Sequence, residues 1–347
     1  MKGTLLIVGF NRPEALESSY ARVFRQQGWS VHFWTPPEAL QKFSRGRRLG
    51  RIFSTFVHVE AWSRKANLEL LQLADQLQPD LILVIGTEGV RPGTLAQIKV
   101  RVPHSLLYCI YPDSPHNLDN ERINCLPFFE RVTTSSPAWV DAFERLGARR
   151  VHYLPFAADT HLHRPATQEA RRDLQHDVVF IGTWRNEREE FLEQLADFDL
   201  CLWGSDYWQR RTRAGSPLRA RWGGRSIMGE EFAAVSSASK IMLNIVDAAT
   251  WPGPNMRTFE QAACRAFSLV TRSPAVLELF REGREIECFD TIAEAREKIT
   301  YYLAHEEERK RIANAGYDLI VNGGHTYEAR VEQVLSWARE DGLGLSR

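Results

Sequence analysis

The chain has 347 residues, 44% apolar and 25% charged, with 44 lysines and arginines against 44 aspartates and glutamates. That length exceeds what one hydrophobic core usually serves and predicts two domains, while a neutral chain carries no overall field that selects nucleic acid or an anionic membrane as partner. Its five cysteines (Cys109, Cys125, Cys201, Cys264, Cys288) never form a C-x-x-C pair, which argues against a disulfide framework or zinc site and fits a reducing cytoplasm.

In chain order, the apolar run from Thr4 to Phe10 is too short for a secretory-signal core, and no stretch approaches a membrane span, so a soluble, cytoplasmic protein is expected. Short Val-, Ile- and Leu-rich runs read as parallel strands of an α/β sheet at 4–9, 30–34, 81–85, 105–110, 131–134 and 151–154. Helices are expected at 14–27, 64–77 and 137–146, the last two behind Ser63 and Ser136 as N-caps. This is one doubly wound domain, 1–160. The polar, aperiodic stretch 161–176 reads as a linker. A second series of strands follows at 177–182, 198–203, 240–246, 267–271 and 285–289, then helices at 291–305, 306–322 and 326–340. The second domain is thus 177–325, and the closing segment 326–347 is more helix than its sheet needs. Two such domains facing each other create a cleft lined by the carboxyl ends of both sets of strands, where ligands of open α/β sheets bind.

Common ligand signatures are missing. None of G-x-G-x-x-G, G-x-x-x-x-G-K-[ST], H-E-x-x-H or G-x-S-x-G occurs, so a nicotinamide cofactor, a P-loop nucleotide and a serine nucleophile lose weight. What remains is cations at strand ends and helix starts. Gly182-Thr183-Trp184-Arg185 follows a strand directly, and Arg185 is expected to project toward an anion favoured by the helix start behind it. Arg188 reads as a solvated turn residue paired to Glu189 or Glu190. Further on, Pro252-Gly-Pro254 breaks the chain before Asn255-Met-Arg-Thr-Phe-Glu260. Thr258 with Gln261 forms a capping-box pattern, Phe259, Ala262, Ala263 and Ala266 give the buried face, and Glu260 lies off it. Arg257 is a cation at a helix start, electrostatically misplaced unless an anion comes to it. A carboxylate accepting from vicinal hydroxyls, beside an arginine that meets phosphate, describes a nucleoside diphosphate, with roughly 1.5 to 3 kcal/mol per charge-assisted bond.

These residues carry a resemblance. Val-Val-Phe-Ile-Gly-Thr-Trp-Arg-Asn-Glu-Arg188, Lys-Ile-Met-Leu-Asn-Ile-Val246, Pro-Gly-Pro-Asn-Met-Arg-Thr-Phe-Glu260, Glu-Leu-Phe-Arg-Glu-Gly-Arg-Glu-Ile286 and His-Thr-Tyr-Glu-Ala-Arg330 resemble the C-terminal half of bacterial CgeB-like (spore-maturation) glycosyltransferases, relatives of the group 1 (family 4) enzymes. The N-terminal half is similar only in Tyr-Pro-Asp-Ser-Pro115 and Leu-Pro-Phe-Ala-Ala-Asp159. The resemblance implies a GT-B fold of two Rossmann-like domains, acceptor on the first and nucleotide-sugar donor on the second, with a last helix crossing back to the first. It places Glu260 at the second glutamate of the family's E-x7-E motif, which binds the donor ribose, and Arg185 at the basic residue that meets the diphosphate. The first motif position is Pro252, so the usual carboxylate contact to the sugar is missing and the sugar is open. At Arg265 this chain also carries a side chain where the relatives commonly place a helix-ending glycine.

The implied donor set is Gly182, Thr183, Arg185, Lys240, Asn255, Arg257, Thr258 and Glu260. Glycosyl transfer needs cations aimed at the departing diphosphate, for which Arg185 and Arg257 are chosen, with Lys240 third although it reads equally as an exposed strand-start residue. On the acceptor side the strand ends offer Asn11, Arg12, Glu88, Asp113 and His116; Asp113 is the preferred base for an inverting reaction, though Pro-Asp-Ser-Pro is good turn chemistry by itself. A retaining reaction, as in the group 1 relatives, needs no dedicated base. No cofactor or metal is expected, only a nucleotide sugar as donor substrate and a glycan, lipid-linked or peptide acceptor. The segment 206–225, with six arginines among aromatics, could bind single-stranded nucleic acid. It is read instead as a mobile flap over the donor, or as a contact to an anionic acceptor or a membrane surface. A nucleotide-sugar epimerase and a catalytically silent binding protein are the alternatives.

Overall fold

A computed structural model describes residues 2–43, 60–170, 174–247 and 250–344. The chain divides into two compact units, Met1–Pro155 with Arg330–Arg347, and Phe156–Ala329.

The first unit is built on a parallel sheet of order β2-β1-β3-β4-β5-β6, comprising β1 (Thr4–Val8), β2 (Ser30–Trp34), β3 (Leu81–Ile85), β4 (Leu106–Tyr111), β5 (Arg131–Thr134) and β6 (Val151–Tyr153). Every residue of β3 is buried, which explains why it reads as five consecutive apolar residues rather than an alternation: helices cover both faces. The helix Leu16–Gln26 buries Leu16, Tyr20, Val23 and Phe24, one stripe at helical spacing. Two expected N-caps do not hold. The helix behind the segment 44–59 starts at Glu60, where the carboxylate suits the helix dipole and pairs with Arg64 and Arg91, so Ser63 is buried inside the helix. Ser136 opens a 3-10 turn, Pro137–Trp139, and makes no side-chain cap bond.

The end of the chain belongs to this unit. Asp341 accepts from Tyr108 Oη (2.6 Å), from Arg131 Nε and Nη2 (2.6 and 2.9 Å) and from Arg150 Nη1 (2.6 Å). The Arg131 side chain is only 5% exposed, and its Nη1 donates to His152, whose ring stacks on Trp337 at 4.6 Å. Burial alone would raise the Asp341 pKa, but the Arg131 and Tyr108 bonds hold it well below the ordinary carboxylate range.

The second unit carries a parallel sheet of order β11-β10-β9-β7-β8, comprising β7 (Val178–Ile181), β8 (Leu200–Trp203), β9 (Ile241–Asn244), β10 (Ser268–Thr271) and β11 (Glu287–Phe289). Chain order reverses between β7 and β9, a switch point that leaves a crevice at the carboxyl ends of those strands. The stretch expected as a linker, 161–176, falls within this unit: His163 is buried, and Ala166 N–H donates to Ser237 Oγ at 3.0 Å.

Candidate functional site

Three loops at the carboxyl edge of the second sheet build the site. The first, after β7, is held against the loop after β8 by backbone contact. Gly182 N–H donates to Trp203 O and Gly182 O accepts from Trp208 Nε1, both at 2.9 Å. A Cβ on Gly204 would lie 2.2 Å from Gly182 O, so only glycine fits there. Trp184 Nε1 donates to the buried Glu189 carboxylate at 2.6 Å, and Arg185 is the N-cap of the helix Asn186–Glu193.

Arg188 is not the solvated turn residue expected. It is buried and pairs with neither Glu189 nor Glu190. It donates to Thr183 O (3.0 Å), Ile245 O (2.9 Å) and Asp247 Oδ2 (3.2 Å), pinning the β7 loop to the β9 loop across the switch point. The reason is geometric, since only a guanidinium presents enough donors in a plane to span two carbonyls and a carboxylate. Arg185, by contrast, is half exposed, and its nearest carboxylate oxygen is Asp247 Oδ2 at 4.0 Å. With Thr183, Trp184, Asn186, Tyr207 and Arg211 it lines a depression of about 510 Å³. Arg211, whose guanidinium lies over the Tyr207 ring, is a second cation at this depression that the residue pattern did not single out.

The third loop leads into the helix Met256–Ala263. Its N-cap is Asn255, whose side chain accepts from Thr258 N–H, so the capping box read at Thr258 and Gln261 is displaced by three residues. Asn244 and Asn255 exchange two amide hydrogen bonds of 2.8 Å, and Asn244 also donates to Thr258 Oγ1 at 3.1 Å. The cap is thereby locked to the end of β9, and Asn255 and Thr258 serve the loop before any ligand. Glu260 lies on the buried side of the helix, not off it, at 3% exposure.

Arg257 and Glu260, expected as two ends of a ligand, bond each other directly through Nη1 and Oε2. Glu260 itself thus answers the misplaced cation at the helix start. The Arg257 guanidinium lies 4.7 Å from the centre of the Phe232 ring, and His163 Nε2 stands 3.8 Å from Glu260 Oε1. Burial pushes the Glu260 carboxyl up, but the neighbouring Arg257 and His163 outweigh it, and the group is held below its ordinary value, ionised at neutral pH.

Lys240 does not join this group. It sits before β9, at the opposite edge of a parallel sheet, and pairs with Asp177 at 2.7 Å. The segment 206–225, read as a flap over the donor, packs on the second unit and lends Tyr207 and Arg211 to the depression at Arg185. Trp208 is fully buried, Trp222 pairs with Leu202 as an isolated bridge, Arg213 meets Glu189 and Glu193, Arg221 donates to Ala196 O, and Arg225 pairs with Glu231.

In the first unit, Asp113 spends both oxygens on its own turn, accepting from Ser114 N–H (2.8 Å) and Asn117 Nδ2 (2.7 Å). Glu88 pairs with Arg122 at 3.2 Å, His116 is exposed, and Asn11 and Arg12 are exposed in the loop after β1. Glu17, which the sequence did not flag, is buried under that loop and accepts from Phe10 N–H at 2.8 Å; burial raises its pKa. Among the described residues no group of three or more His, Cys, Asp or Glu is placed to hold a metal ion, and no helix is long and apolar enough to cross a membrane.

A family model described as Glycosyl transferase-like matches residues 185–336, and no curated protein matches the chain. Among solved structures, Anabaena Alr3699/HepE in complex with UDP and glucose superposes with a TM-score of 0.67 at 14% identity, covering 98% of this chain and 100% of that one. Sucrose-phosphate synthase from Thermosynechococcus elongatus gives 0.70 at 13%, covering 97% and 98%. A glycosyltransferase from Rickettsia africae gives 0.70 at 11%, covering 98% of each chain. Likeness at such identities is a likeness of fold, and the fold it shows is that of the GT-B glycosyltransferases, two Rossmann-like units each on a parallel sheet.

Proposed function

We propose that this chain is a glycosyltransferase of the CgeB-like kind that binds a nucleoside-diphosphate sugar on its second unit and transfers the sugar to an acceptor hydroxyl. The observation that carries the reading is that cations follow both strands of the switch point, Arg185 at the start of the helix after β7 and the Arg257–Glu260 pair at the start of the helix after β9. Cation and carboxylate match the phosphate and ribose of one ligand, and the structural neighbours solved with UDP or UDP-glucose support that ligand class.

In the reaction the bond from the sugar's anomeric carbon to the leaving phosphate oxygen breaks, and negative charge grows on the diphosphate. Arg257, released from Glu260, and Arg185, which shares its depression with Arg211, meet that charge, so that no metal is needed for this stabilisation. In a retaining course the acceptor oxygen bonds the anomeric carbon as the phosphate leaves and its proton passes to the departing phosphate oxygen; in an inverting course Asp113, exposed and with acceptor sites left beyond its own turn, would take that proton. A cytoplasmic supply of nucleotide sugars fits this chemistry.

The test is a thermal-shift panel of UDP, GDP, dTDP and CDP sugars. One of them at a hundred times its Kd should stabilise the protein by about 2.7 kcal/mol. Arg257→Ala and Glu260→Ala should each abolish most of that shift, and failure of every nucleotide sugar to stabilise the wild type would sink the proposal. Product analysis with and without acceptor separates transfer from epimerisation.

A further inference from the structure

Glu260 is a buried carboxylate with two counter-groups, Arg257 on Oε2 and His163 near Oε1. The imidazole is fixed from behind. Its Nδ1 accepts from Asp159 N–H at 3.4 Å, which places the ring proton on Nε2, the atom facing the carboxylate. Its ring meets Phe232 edge-on at 5.5 Å, and Phe232 is also the ring under the Arg257 guanidinium. One loop and two helices thus pack four side chains into a single cluster.

A nucleoside diphosphate must divide the Arg257–Glu260 pair, with phosphate taking the arginine and ribose hydroxyls the glutamate. A carboxylate buried to this degree pays heavily when its cation leaves, and neutral hydroxyls return only part of that cost. We propose that His163 is a positioning residue for the donor: its Nε2–H closes on Glu260 Oε1 as Arg257 turns to the diphosphate, which keeps the carboxylate ionised and aimed at the ribose. The proposal rests on the nucleotide-sugar reading. His163 touches no reacting atom and moves no proton, and its neighbours, Asp159 and Phe232, hold its orientation before the ligand arrives.

The experiment uses the full chain and calorimetric titration with UDP, GDP and ADP, taking whichever binds wild type best, and with inorganic pyrophosphate as a probe of the phosphate end alone. His163→Phe keeps a ring against Phe232 but offers no donor; His163→Gln keeps a donor. The expected result is that His163→Phe loses at least tenfold in nucleotide affinity while its pyrophosphate affinity and Tm stay near wild type, and that His163→Gln recovers most of the loss. Unchanged nucleotide affinity in His163→Phe overturns this inference and leaves the donor reading standing. Equal weakening of nucleotide and pyrophosphate in both variants also overturns it, because that pattern belongs to a purely structural residue. If no nucleotide binds wild type, the donor reading falls and this inference falls with it.

Discussion

At Arg265 the backbone adopts φ +55°, inside the left-handed region. The residue closes the helix Met256–Ala263 in a Schellman arrangement: its N–H bonds Ala262 O, and the Ala266 N–H bonds Gln261 O. A β-carbon there costs roughly 1 to 2 kcal/mol, and the guanidinium 4.2 Å over the Tyr317 ring returns about 0.5 to 1 kcal/mol. Arg265→Gly should therefore raise stability by up to about 1.5 kcal/mol in a urea melt; a loss would mean that the ring contact outweighs the strain. This position was legible only through the resemblance, whose members commonly place a helix-ending glycine there; the arginine of this chain gives no local sign of a left-handed residue. Arg188 was not legible. Nothing local distinguishes a solvated arginine in a turn from one that closes on a strand end 57 residues later. Glu260 was legible in identity but not in state, since its burial comes from Phe232 and His163, which the chain brings in from elsewhere.

Among elements, strands were read more accurately than the loops that carry the site. Leu81–Ile85 follows directly from an apolar run, whereas the true cap of the helix Met256–Ala263 depends on Asn244, a strand residue eleven positions away. The junction between the β7 and β9 loops rests on Arg188. Arg188→Ala takes the guanidinium from two backbone carbonyls and from Asp247 Oδ2 and should cost at least about 2 kcal/mol in denaturant unfolding. Arg188→Lys should restore only part, because an ammonium cannot span that set of acceptors. If Arg188→Lys matches wild type, the fork geometry is not what matters at this junction.

For the whole molecule, alternating strands and helices sufficed to predict two parallel-sheet units. The closing helix was legible only as a surplus, because the groups it docks on, among them Arg131, His152 and Pro155 O, lie some 175 to 210 residues earlier in the chain. Asp341→Asn leaves the buried Arg131 with only the exposed Glu340 as a charged partner and should destabilise by about 3 kcal/mol. Because Asp341 has a depressed folded-state pKa, its contribution is complete above the unfolded value near 4 and drains away as the pH falls below it. Wild type should therefore lose Tm on acidification through that range more steeply than Asp341→Asn; parallel acid limbs for the two proteins would refute the assignment.

The same anchor orders events during synthesis. The second unit is one continuous stretch, but Arg131 waits for a partner 210 residues downstream. At translation speeds of about 5 to 20 residues per second, that is a delay of about 10 to 40 seconds, during which β5 has emerged from the ribosome and its arginine has no aspartate. The unit that begins first is thus the one that finishes last, and released chains truncated before residue 341 should show a protease-resistant second unit and an unfinished first.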